Sequence, residues 1–86
     1  MNMLLIFGSA TAAKRVEKTV AKYGVIAKVI HTPANISKSG CSHSVKINEK
    51  DFRDVVRVLS NSDIKILGAF KEYTVSGKTL YKEMII

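Results

Sequence analysis

Five consecutive apolar residues, Met3-Leu4-Leu5-Ile6-Phe7, are closed by Gly8 near the start of an 86-residue chain. A run this short, ended by glycine and followed by helix signals, predicts a strand. Without alternation it has no side to show to water, so the strand is buried on both faces and sits centrally in its sheet. A small single domain (residues 1–86) with a central first strand must bring later strands to both of its edges. The rest of the chain supplies them.

Ser9 is placed to cap a helix running to about Tyr23, with Gly24 as the residue beyond its end. Ala13, Val16, Val20 and Tyr23 share one face of that helix, and Lys14, Arg15, Lys18 and Lys22 fall outside it. Residues 25–30, rich in β-branched side chains, predict a second strand that His31-Thr32-Pro33 ends. Residues 32–41 form a connection with room for one helical turn over Ala34 to Lys38. A third strand follows over residues 42–47, with Val45 and Ile47 alternating against Ser44 and Lys46. Asn48 caps a second helix, whose Phe52, Val55, Val56 and Leu59 repeat at helical spacing until Ser60-Asn61-Ser62-Asp63 breaks it. A fourth strand is expected from Ile64 to about Phe70, and Val75-Ser76-Gly77-Lys78 reads as a tight turn into a fifth.

The order βαββαβ with right-handed crossovers gives an α+β, ferredoxin-like split βαβ sandwich of two layers, extended by a C-terminal hairpin. The expected core is Leu5, Phe7, Val16, Val20, Val29, Val45, Ile47, Phe52, Val56, Leu59 and Ile66. In this topology the start of the first helix and the connection between strands two and three share one edge of the molecule. Residues 8–11 and Cys41 are therefore expected at the same edge.

Cys41 is the chain's only cysteine, so no intrachain disulfide can form. A single cysteine and no secretory signal point to the cytoplasm. The segment Ser37-Lys38-Ser39-Gly40-Cys41-Ser42-His43 surrounds it with small polar and cationic residues rather than the apolar neighbours of a structural thiol. Lys38 and protonated His43 would favour the thiolate, and so would the free N–H groups of the helix start at Ser9 and Thr11. In an extended segment His43 projects to the same side as Cys41. The plain alternative is a spectator thiol beside an ordinary strand-edge histidine.

Other chemistries are less well supplied. A cysteine hydrolase needs a base, an orienting group and an oxyanion hole around a pocket, and Glu49, Asp51 and Asp54 read as helix-surface acids. His31, His43 and Cys41 offer three metal ligands but no paired-cysteine spacing, so no metal or cofactor is expected. Residues 8–11 carry no phosphate-loop or dinucleotide signature. The net charge of +7 invites a nucleic-acid reading. Yet the lysines are scattered and the few aromatics are not interleaved with them as a base-stacking surface requires. No apolar stretch is long enough to span a bilayer.

These residues resemble the family of small bacterial selenium/sulfur carrier-like proteins. The resemblance runs from Leu4 to about Tyr73. It rests on the apolar first strand before a helix, Thr32-Pro33, Ile36-Ser37, Ser39-Gly40-Cys41 and the polar-capped helix at Asn48. It departs at Ser42-His43, where family members usually carry a glycine and an aliphatic residue. The resemblance implies that Cys41 holds sulfur or selenium as a persulfide or perselenide and passes it between donor and acceptor proteins. That makes the protein a carrier or transferase-like accessory more than a stand-alone enzyme. The competing reading is a non-catalytic binding module for a protein, a small molecule or, weakly, RNA. A tail ending Met84-Ile85-Ile86 could also pair with a second copy.

Overall fold

A computed structural model describes residues 1–37 and 43–85. Two helices lie on one face of a five-stranded antiparallel sheet. The elements are β1 (Asn2–Phe7), α1 (Ala10–Ala21), β2 (Lys28–His31), β3 (His43–Asn48), α2 (Phe52–Ser60), β4 (Gly68–Val75) and β5 (Lys78–Met84). The strand order is β2-β3-β1-β4-β5, the split βαβ arrangement with a fifth strand added beside β4. β1 is central as its unbroken apolar run requires, paired with β3 on one side and β4 on the other.

Met3, Leu5 and Phe7 point into the core beneath the helices, where they meet Ala13, Val16 and Val20 of α1 and Val55 and Leu59 of α2. Val45, Ile47 and Ala69 complete it from the neighbouring strands. Val29, Phe52 and Ile66 pack against this core but stay half-buried.

Several boundaries differ from the sequence pattern, each for a local reason. The α1 hydrogen-bond ladder ends before Tyr23, and Gly24 closes the helix. Gly24 adopts φ +81°, its N–H donates to the Ala21 carbonyl, and the Val25 N–H reaches back to Val20. This pair of bonds is a Schellman motif, and Val20 and Val25 supply its hydrophobic contact. Val25 is thereby spent on the helix end, so β2 begins only at Lys28.

A single 3₁₀ turn, Glu49–Asp51, precedes α2; the Asn48 side chain caps it by accepting from the Lys50 N–H at 3.0 Å. That tighter turn shifts the phase of the following helix. Val55 is consequently fully buried, whereas Val56, expected in the core, is only half-buried.

β4 starts at Gly68, four residues later than Ile64. Residues 64–67 belong to no strand: the Ile64 N–H bonds the Ser62 hydroxyl at 3.1 Å, and the Leu67 N–H bonds the Ile6 carbonyl at 2.9 Å. β3 runs from His43 to Asn48, one residue further than expected at its C-terminal end; Ser42 lies outside the described residues. The β4–β5 hairpin is as the sequence predicts. Ser76 (φ 51°) and Gly77 (φ 78°) make a two-residue turn with both central φ values positive, and Val75 pairs with Lys78.

Candidate functional site

The connection between β2 and β3 is anchored at both of its ends. On the β2 side, the Ile36 and Ser37 N–H groups both donate to the Pro33 carbonyl, at 3.1 and 3.0 Å. The expected helical turn therefore exists, built on Pro33. Just before it, the hydroxyls of Thr32 and Ser44 lie 2.7 Å apart. Ser44 is completely buried, between Ile6 of β1 and Ile30 of β2 in the ladders. A buried hydroxyl needs a partner, and Thr32 provides it. This bond ties the entry of the connection to the strand that leaves it.

His43 opens β3 on the helix side of the sheet. It stands opposite Phe7 of β1 and opposite His31 of β2. The two imidazoles are tilted against each other with ring centroids 4.7 Å apart. Nδ1 of His43 is buried and has no hydrogen-bond partner among the described residues.

Phe7 also leads directly into the start of α1. Ser9 takes up extended backbone angles there, and its Oγ accepts from the Ala12 N–H at 3.1 Å. The Ser9 side chain is thus a helix cap; Ser9 and Thr11 are both exposed. Of the residues singled out in the sequence, Ser9, Thr11 and His43 share one end of the sheet, brought there by the Phe7–His43 pairing. Cys41, Gly40 and Lys38 lie outside the described residues. In the chain Cys41 precedes His43 by two positions.

Sequence reasoning missed the Thr32–Ser44 bond. Ser44 sits at a polar position of an alternating strand and reads as solvent-facing. The signal that could have revealed it is a small hydroxyl residue flanked, once the ladder is known, by Ile6 and Ile30.

The face of the sheet away from the helices carries a different polar group. Glu72 accepts from Asn2 at 3.2 Å, pairs with Lys46 at 3.3 Å, and receives the hydroxyl of the facing Tyr81. Burial pushes the Glu72 carboxyl up, but the bonds from Asn2 and Lys46, the Lys46 charge and the Tyr81 bond together hold it below its ordinary value. Burial and the Glu72 charge push the Tyr81 phenol above its ordinary value. Phe70 and Tyr81 are the aromatics of this face, both half-buried, and an acid sits among the lysines. An RNA-binding sheet would instead expose its aromatics on the central strands.

Among the described residues no three His, Cys, Asp or Glu side chains gather as a metal site would need. No helix among them is long and apolar enough to cross a membrane. The sequence matches the family described as "Putative Se/S carrier protein-like" over residues 2–71. The chain belongs to that family. The match takes in β1, α1, the Thr32-Pro33 turn, Cys41 and α2, and stops within β4. Comparison with the curated proteins and with the solved structures finds no match.

Proposed function

We propose that the protein is a sulfur or selenium carrier that holds its cargo on Cys41. The observation that carries this reading is the family match across residues 2–71, a stretch that contains the chain's only cysteine. In the reaction the Cys41 thiolate attacks the terminal sulfur of a donor persulfide. A new S–S bond forms at Cys41, the donor's S–S bond breaks, and the donor leaves as a thiolate. An acceptor thiolate then repeats the exchange, takes the terminal sulfur and returns Cys41 to its starting state. No net oxidation occurs and no metal or cofactor is needed. The selenium version places selenium in the terminal position.

Such chemistry asks for an accessible thiolate near positive charge. Lys38, His43 and the N-terminus of α1 near Ser9 and Thr11 are the groups expected to favour it, with Gly40 as the chain neighbour of Cys41. The partners are donor and acceptor proteins, and the compartment is a reducing one, the cytoplasm.

Intact-mass measurement tests the proposal. After exposure to a persulfide donor the protein should gain the mass of one sulfur atom. The gain should vanish on reduction and be absent in Cys41→Ser. Iodoacetamide should label Cys41 near neutral pH faster than a model thiol of pKa about 8.5. A thiol that reacts only after unfolding would end the carrier reading.

A further inference from the structure

At the end of the sheet away from His43, two lysines face each other across a ladder. Lys28 of β2 stands opposite Lys46 of β3. Like charges directly opposite on neighbouring strands destabilise the pair. Lys46 is relieved by Glu72, but Lys28 and Lys50 have no ion pair among the described residues. All three lysines line one hollow of about 420 Å³, together with Asn2, Asp51 and Ile26. Ile26 is 89% exposed and Tyr23 is 67% exposed, the largest apolar exposures of the α1–β2 connection. The Schellman closure at Gly24 holds them out: Val25 is buried as its anchor, and the residues on either side of the Gly24–Val25 pair stay in water.

We propose that this hollow docks an acidic segment of a protein partner that carries apolar side chains between its carboxylates. The carboxylates would pair with Lys28 and Lys50, the two lysines of the hollow that have no ion pair among the described residues, and an apolar side chain would cover Ile26. The charge pattern selects this occupant. A second copy of the chain would set lysine against lysine, on a molecule of net charge +7. A nucleic acid would find one exposed aromatic, Tyr23, rather than a stacking platform, and would leave Ile26 in water. This proposal rests on the carrier reading only in supplying the partner, a donor or acceptor. Along β3 the nearest lining residue, Lys46, lies three residues from His43, about 10 Å at about 3.4 Å per residue. A partner held here leaves the His43 end uncovered by the same contact.

Amide chemical-shift mapping with a short synthetic peptide alternating glutamate with leucine tests the assignment. Shifts should concentrate at residues 23–28 and 46–51. Binding should weaken by about tenfold or more in Lys28→Glu/Lys50→Glu, and also on raising the salt. Lys28→Ala/Lys50→Ala serves as the milder variant should charge reversal disturb the fold. Ile26→Ser, or a peptide with serine for leucine, should weaken binding several-fold. Cys41→Ser should bind as the parent does, so the docking site stands or falls independently of sulfur loading. Three outcomes would overturn the proposal: shifts spread equally over Lys14, Lys18, Lys78 and Lys82; a polyglutamate peptide that binds as well as the leucine-bearing one; or a single-stranded oligonucleotide that binds the same residues more tightly.

Discussion

The two faces of β1 are both closed to water, but by different means. On the helix side, Met3, Leu5 and Phe7 meet a second layer, the apolar stripes of α1 and α2. On the other side no helix lies over the sheet, yet Leu4 is fully buried and Ile6 nearly so. Leu4 stands between Lys46 and Phe70 in the ladders, and Ile6 stands between Ser44 and Gly68. A Cβ at Gly68 would find both Ile6 and Phe70 at 3.9 Å, so these two side chains converge over the glycine. Beside them stand Lys46 and Glu72, ion-paired with only 32% and 15% of their side chains exposed. A sheet face can thus be sealed by side chains of its own strands when a strand order places long amphipathic residues beside a central apolar one.

Truncation measures how different the two seals are. Leu5→Ala should cost about 4 kcal/mol, because the helices cannot collapse onto the space it leaves. Leu4→Ala should cost nearer about 2 kcal/mol, since Phe70 and the Lys46 stem are free to settle inward. Both values come from urea denaturation, and equal costs would show that the open face is packed as rigidly as the core. Thr32→Val leaves the buried Ser44 hydroxyl unpaired and should cost about 1–3 kcal/mol. Adding Ser44→Ala should recover part of that loss, and a double variant worse than the sum of the singles would refute the bond as an anchor.

Glu72→Gln should have the smallest effect, about 0.5–1 kcal/mol at neutral pH. Its pH dependence is the sharper test. The folded-state carboxyl titrates below the ordinary 4.5, so its contribution is present above that value and is lost as the pH falls through the folded-state pKa. The stability gap between parent and variant should therefore close in acid. Tyr81 has the opposite sign: its folded-state phenol titrates above the ordinary 10.0, so its contribution holds below that pH and fades as the pH rises past it. Absorbance titration of the parent against Tyr81→Phe would detect it.

Elements whose signals are local were legible in the sequence. The Ser9 and Asn48 caps, Gly24 at a left-handed helix end, and Ser76-Gly77 in a tight hairpin each answer to a backbone need that nearby residues alone determine. What was not legible depends on partners distant in sequence. Ile64 and Ile66 keep the alternation of a strand, but a ladder exists only where β1 offers free backbone, and that begins opposite Ile6 at Gly68. Val55 and Val56 fit a helical stripe equally well until the 3₁₀ turn before them sets the phase. At the candidate site, Cys41 stood out by its neighbours, whereas the Thr32–Ser44 anchor and the His31–His43 contact arise only once β2 and β3 are in register.

The position of β1 also bears on how the molecule comes into being. Its most apolar strand is made before either of its partners, and its contact with β4 joins residues 70 apart, as between Asn2 and Glu72. A ribosome therefore releases a strand whose hydrogen-bonding edges wait for residues 43–48 and then 68–75. Closing such distant pairings is slow compared with forming α1 or the β4–β5 hairpin. During that interval the apolar β1 segment is unshielded, and a net charge of +7 makes neighbouring chains repel one another.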